Sequence, residues 1–156
     1  MASPKGFILY RIYYGNCLVY LGRTKQPLQA RIRGHMFAKP MHRAIDIHNV
    51  TKIEYTMLQT EADMNLYEIY FINLWKPPLN VDDKARDNLT IELPELSWQQ
   101  FIPSNWDEWK NELRTDDMYG WHRLRNERIK EEANSLLNDF LEGDEQNEQI
   151  NRCRKD

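Results

Sequence analysis

A few side chains in this sequence are of the right type and spacing to handle a phosphate or a proton. Glu68 is the one charge in a run of large apolar residues, Asn65-Leu66-Tyr67-Glu68-Ile69-Tyr70-Phe71-Ile72. A carboxylate in such company must be protonated, paired or bound to a cation, because desolvating its charge alone is costly. Glu68 is therefore either one partner of a structural ion pair or a metal ligand. Arg31 and His35 stand four residues apart in a helical stretch and so share a face. A guanidinium neutralises a phosphate through its planar fork, and an imidazole passes protons near neutral pH. The plain alternative is a solvated helix face. Tyr10 and Tyr20 fall in two strand-like runs. A tyrosine ordinarily ionises near pH ~10, so it acts as a base only where cations lower that value. Strand tyrosines otherwise serve packing.

The elements that must position these groups follow from periodicity. Phe7 to Tyr14 and Cys17 to Gly22 are rich in β-branched and aromatic residues and flank Gly15-Asn16, which predicts a β-hairpin. Leu28, Ile32 and Met36 recur at helical spacing after Pro27, in a helix that should end before Pro40. A short helical stretch around His42 to His48 is weakly signalled. Thr51 to Leu58 alternates, with Ile53, Tyr55 and Met57 on one face, and makes a third strand. Thr60-Glu61-Ala62-Asp63 resembles a capping box and opens a helix through Leu74, which Lys76-Pro77-Pro78 stops. The expected fold is α/β (α+β): a small mixed three-stranded β-sheet flanked by helices over residues 1–82. A mainly helical, acidic and Trp-containing C-terminal extension should follow over residues 83–156.

Composition narrows the class. Hydrophobic residues make up 41% of the 156 and aromatics 12%, enough for one core. No apolar run approaches the ~20 residues needed to span a bilayer, and no signal-peptide pattern follows the N-terminus; both favour a cytoplasmic protein without a membrane partner. Cys17 and Cys153 supply neither a metal quartet nor a disulfide framework. The net charge of −3 hides an asymmetry. Residues 1–80 hold ten Lys and Arg against five Asp and Glu, whereas residues 81–156 hold eleven against nineteen. The basic front half suits a polyanion.

Singly these signals are weak, but their order is specific. Ile8-Leu9-Tyr10 followed by Tyr20-Leu21-Gly22 resembles the two elements that name the GIY-YIG nuclease family, with Ile8 standing where the first glycine is usual. Gly22-Arg23-Thr24 continues as in many members. The segment Arg31-Ile32-Arg33-Gly34-His35 is similar to the family's arginine-x-x-x-histidine helix, Glu68 lies where its metal-binding glutamate stands, and Asn80 resembles its closing asparagine. The resemblance spans residues 7–81. It implies a metal-dependent DNA endonuclease that hydrolyses phosphodiester bonds with a single divalent ion, Mg²⁺ or Mn²⁺, held by Glu68. It further implies that Tyr10 takes a proton from the attacking water, with Tyr20 and His35 assisting. Arg31 would steady the phosphate, and Asn80 would orient the site. In a two-residue hairpin turn Tyr10 and Tyr20 would face opposite ways, so a shared face requires a three-residue loop or a bulge; the resemblance favours the longer loop.

DNA would be met by a basic face of Arg23, Lys25, Arg33, Lys39 and Arg43, together with Arg31, binding phosphates without reading sequence. In the extension, Trp98, Trp106, Trp109 and Trp121 either stack on bases or pack the extension onto the core. A charged helix is expected from about Met118 to Leu141. The extension can also restrain the site, bind a protein partner or serve a homodimer. The competing reading of the whole chain is a catalytically silent DNA- or protein-binding module on the same fold.

Overall fold

A computed structural model describes residues 3–38, 45–113 and 129–133. Its elements run β1 (Phe7–Tyr14), β2 (Cys17–Thr24), α1 (Leu28–Met36), β3 (Val50–Leu58), α2 (Glu61–Trp75), β4 (Gln99–Gln100) and α3 (Trp106–Glu112). They form one antiparallel sheet in the order β2-β1-β3-β4 with helices on both faces, an α+β arrangement. The sheet thus has four strands rather than three, and every pairing is antiparallel. Two exposed residues make up β4, too short to show any alternation; its place is set by pairing with Glu54 and Tyr55 of β3. No helix among the described residues is long and apolar enough to cross a membrane.

The hairpin departs from the expected longer loop. Gly15, with φ +58°, and Asn16 form a two-residue connection between the paired residues Tyr14 and Cys17. A bulge then does what loop length was expected to do. Tyr13 pairs with Leu18 but Ile12 pairs with Tyr20, so Val19 is the extra residue. The slip of one returns Tyr20 to the face of Ile12 and Tyr10. Val19 is buried, and its carbonyl accepts the backbone N–H of Leu79 at 2.9 Å, so the bulge is held from outside the hairpin.

One face of the sheet carries α1. Leu28, Ile32 and Met36 are fully buried against Ile8, Tyr10, Ile12 and Val19. Pro27 precedes the helix and offers no side-chain cap. The first N–H groups find partners elsewhere: Leu28 donates to the Pro4 carbonyl and Gln29 to the Ser3 hydroxyl, both at 2.8 Å. Gly34 lies within this helix on its exposed side, and a Cβ added there meets nothing within 4 Å. Gly34→Ala should therefore stabilise the protein by about 0.5–1 kcal/mol through the helix propensity alone. Urea unfolding checks this, and a destabilisation would mean that the space is not open.

The other face carries α2. The Thr60 hydroxyl accepts the Asp63 N–H at 3.0 Å, as the capping pattern predicts, and the helix closes on Lys76 in the left-handed region at φ +48°. Met64, Phe71 and Ile72 bury against Leu9 and Leu21, with Trp75 and Trp98 at the margin. Arg11 points to this side, bonded to Glu54 at 2.8–2.9 Å and stacked 4.2 Å over the Trp98 ring.

Beyond residue 82 the described chain is mostly without regular structure, apart from β4, α3 and a short helical stretch. Asn73 and Lys76 fasten residues 83–87 to α2 through the backbone of Asp83, Ala85 and Asp87. Residues 89–98 then cross the α2 face, where Trp98 meets Phe71 and Trp75, and α3 returns to the other face, where Trp109 is 4% exposed. These tryptophans pack the extension onto the core. Residues 129–133 are helical; the rest of the helix expected at 118–141 lies outside the described residues, as do Trp121 and Cys153. Of the stretch expected to be helical at 42–48, residues 45–48 are described and form irregular chain and turn.

Candidate active site

Tyr10, Tyr20, Arg31 and His35 meet on the α1 face. The Tyr10 hydroxyl lies 2.6 Å from His35 Nε2 and accepts a hydrogen bond from Arg31 Nε at 3.1 Å. The Tyr20 ring stands edge-on to His35 with centroids 5.0 Å apart, and 6.1 Å from the Tyr10 ring. Burial pushes Tyr10 well above the ordinary tyrosine range, against the pull of Arg31. It raises Tyr20 as well, again opposed by Arg31. The tyrosines in turn, Tyr10 foremost, hold Arg31 more firmly protonated. Tyr10 is thus a neutral phenol at physiological pH. With the imidazole hydrogen on Nδ1, His35 Nε2 accepts the Tyr10 O–H while the Tyr10 oxygen accepts from Arg31.

Such an imidazole must stay neutral. Burial, reinforced by the Arg31 cation, lowers His35 from its ordinary 6.5 to about 4. Between those values the folded protein binds fewer protons at this site than the unfolded chain does. The stability it contributes is complete above pH ~6.5 and is lost as pH falls through the window toward 4. Replacing His35 with Gln, which cannot titrate, should shrink the loss of unfolding free energy between pH 7 and 4.5 by roughly 2 kcal/mol. Urea melts at the two pH values measure it; an unchanged slope would mean that His35 is already protonated in the fold.

Gly22, quoted in the Tyr20-Leu21-Gly22 element but given no role from the sequence, makes this cluster possible. It pairs with Tyr10 across the hairpin, and the Tyr10 ring leans over it. A Cβ on Gly22 would stand 2.5 Å from the Tyr10 hydroxyl and 2.9 Å from the Tyr20 ring. A glycine inside a strand is the available signal for such close approach.

Glu68 comes from the opposite side of the sheet, on α2. Its side chain is 15% exposed and its Oε1 lies 3.2 Å from Arg23 Nε. Desolvation raises its pKa, with Arg23 pulling it down most, Asp83 pushing it up and Arg31 pulling it down. The charge of Glu68 in turn acts on Tyr20. It is thus within electrostatic reach of both Tyr20 and Arg31 while sitting on another element. Asn80 does not face the cluster with a free amide. Its Oδ1 accepts the Leu21 N–H at 2.9 Å and its Nδ2 donates to the Leu21 carbonyl at 2.8 Å, so the side chain stands in for a neighbouring strand. That grip falls between the two site residues Tyr20 and Gly22.

The expected basic face is more occupied than its composition implies. Arg23 is paired with Glu68 and hydrogen-bonds Asn65. Lys25 pairs with Glu61 at 2.9 Å, and the Arg33 guanidinium lies 4.5 Å over the Phe37 ring. Lys39 and Arg43 lie outside the described residues.

Among the described residues no group of three or more His, Cys, Asp or Glu side chains gathers around one point. Glu68, with Asp83 close enough to act on its charge, is the carboxylate that the cluster offers to a cation. That suits an ion which keeps most of its water and takes a substrate phosphate oxygen, as Mg²⁺ and Mn²⁺ do, and does not suit zinc, which wants a nearly full set of protein ligands. Comparison with family models, curated proteins and solved structures returns no match.

Proposed function

We propose that this chain is a metal-dependent DNA endonuclease with a GIY-YIG core, cutting phosphodiester bonds by hydrolysis. What supports the reading above all is the convergence of Tyr10, Tyr20, Arg31 and His35. They come from three elements and share one hydrogen-bonded cluster, with Glu68 in electrostatic reach.

In this mechanism Arg31, held charged by the tyrosines, faces the scissile phosphate and offsets the charge that develops there. Tyr10 is fully buried and its hydroxyl is engaged on both sides, whereas Tyr20 is only partly buried. Tyr20 is thus the tyrosine that meets the attacking water. Tyr20, itself a neutral phenol, takes the water's proton on its oxygen only as it gives up its own O–H proton to solvent, while Tyr10 and neutral His35 hold the Tyr20 ring in place by their contacts. A divalent ion on Glu68 would polarise the phosphate and steady the leaving 3′ oxygen. Asn80 keeps the Tyr20–Gly22 backbone in place.

One observation favours the alternative of a silent binding module: Arg23 already pairs with the Glu68 carboxylate. The deciding experiment is incubation of supercoiled plasmid with the protein and Mg²⁺ or Mn²⁺, with an EDTA control. Nicking that EDTA abolishes is the expected result. No cutting by folded protein on plain, modified and branched DNA would leave the binding module.

A further inference from the structure

The extension does more than cover the core. Helix α1 carries both Arg31 and His35, yet it has nine residues, no side-chain cap and an internal glycine. Helices this short are marginal by themselves, so its exact seat depends on tertiary contacts, those of Leu28, Ile32 and Met36 with the sheet and others besides. The chain from Gln99 to Leu113 supplies these others at both ends of the helix. At the N-terminal end, the Gln29 amide and Ser104 join side chain to side chain at 2.9 and 3.1 Å. The Ser104 N–H adds a bond to Gln29 Oε1 at 3.3 Å. At the C-terminal end, Trp109 stands edge-on to Phe37 with centroids 6.1 Å apart, and Leu113 is buried in the same cluster as Ile32 and Met36. The strap is itself anchored to the sheet, because Phe101 N–H donates to the Ile53 carbonyl at 2.8 Å and the Phe101 ring stands edge-on to Tyr55.

We propose that this strap is a positioning element of the site: Gln29, Ser104 and Trp109 hold α1 so that Arg31 and His35 stay in register with the Tyr10 hydroxyl. The catalytic consequence rests on the nuclease reading; the positioning itself does not. The distances that must be kept are short, 2.6 Å from Tyr10 to His35 and 3.1 Å from Arg31 to Tyr10, and they cross from β1 to α1. A shift of about 1 Å in such a constellation costs around a hundredfold in rate. The strap would then be part of the cutting unit, so a truncation after residue 82 would leave every matched motif intact and still lose activity.

The test uses the full chain with Gln29→Ala and Ser104→Ala combined. Alanine keeps the helix favourable at position 29, so the pair removes the clamp and not the helix. Two readouts are taken. The imidazole of His35, assigned against His35→Gln, is titrated by NMR; the groups facing it are Tyr10 from β1, Tyr20 from β2 and Arg31 on its own helix. Plasmid cleavage is split into kcat and KM. The expected result is a His35 titration moved up from about 4 toward 6.5, a kcat lower by about tenfold or more with KM little changed, and recovery of both by Ser104→Thr with Gln29 restored. Trp109→Phe, which keeps an aromatic ring against Phe37, should give a smaller change in the same direction. A His35 titration equal to wild type in the double variant overturns the inference. If the wild type does not cut DNA, the nuclease reading fails while the titration still decides the positioning.

Discussion

Glu68→Ala is expected to lower metal-dependent cleavage by about 10³-fold or more while leaving the protein as stable as wild type, or slightly more so. The activity loss follows if this carboxylate is the ion's main protein ligand, since no group of three or more acidic, His or Cys side chains among the described residues offers a substitute site. The stability forecast follows from the sign of its pKa shift. Desolvation raises Glu68 above the ordinary carboxylate value, so its ionised form is disfavoured in the fold relative to the unfolded chain, and removing it relieves that cost at neutral pH. Against this stands the ion pair with Arg23, a residue 45% exposed that can return to water when its partner goes. Such a pair contributes about 0–1 kcal/mol. The measurement is initial cleavage rate at saturating Mg²⁺ beside a thermal melt of the same sample. Wild-type cleavage by Glu68→Ala would remove Glu68 from the metal site. Lost cleavage together with a large drop in Tm would make Glu68 a structural ion-pair member instead.

Gly22→Ala should damage the site from a position that offers no functional group at all. The added methyl would lie 2.5 Å from the Tyr10 hydroxyl oxygen and 2.6 Å from the ring carbon that bears it. The end of a flexible side chain could swing away freely; a fully buried phenol ring packed among Ile8, Ile12 and Ile32 moves only at a cost. The strain of overpacking should cost about 1–3 kcal/mol. The ring displacement that relieves it breaks the 2.6 Å contact to His35 and the Arg31 bond. A loss of about a hundredfold in kcat is expected, together with a His35 titration moved up toward its ordinary value. Thermal melting, single-turnover cleavage and the NMR titration of one sample measure all three. A Gly22→Ala protein with wild-type kcat and an unmoved His35 would show that the Tyr10 position is not what the site depends on.

Much of the fold was legible because helices and strands announce themselves through local periodicity. Leu28, Ile32 and Met36 marked α1, and Thr60 to Asp63 marked the start of α2, because each pattern is complete within a few residues. Strand β4 was not legible, since two exposed glutamines acquire strand character only from the β3 edge beside them. The described part of the extension misled for a related reason. Only Trp106 and Trp109 stand at helical spacing there, in α3, and Trp98 and Trp109 are placed by Phe71, Trp75 and Phe37, which lie far away in the chain.

By itself, the sequence determined which residues are available for chemistry and which pairs share an element: Arg31 with His35 on one helix, Glu68 in an apolar helix, a tyrosine on each arm of a hairpin. Only the tertiary structure decided that the two tyrosines face the same way. Strand alternation carries no record of a bulge. The bulge at Val19 is held by Leu79, and the next residues by Asn80, some sixty positions on. The same holds for the reach of Glu68 toward Tyr20 and Arg31, for the close seat of Tyr10 over Gly22, and for the strap across α1. Each is a contact between segments whose separation in the chain gives local patterning nothing to register, and each is fixed by packing and hydrogen bonds that exist only once the sheet has formed.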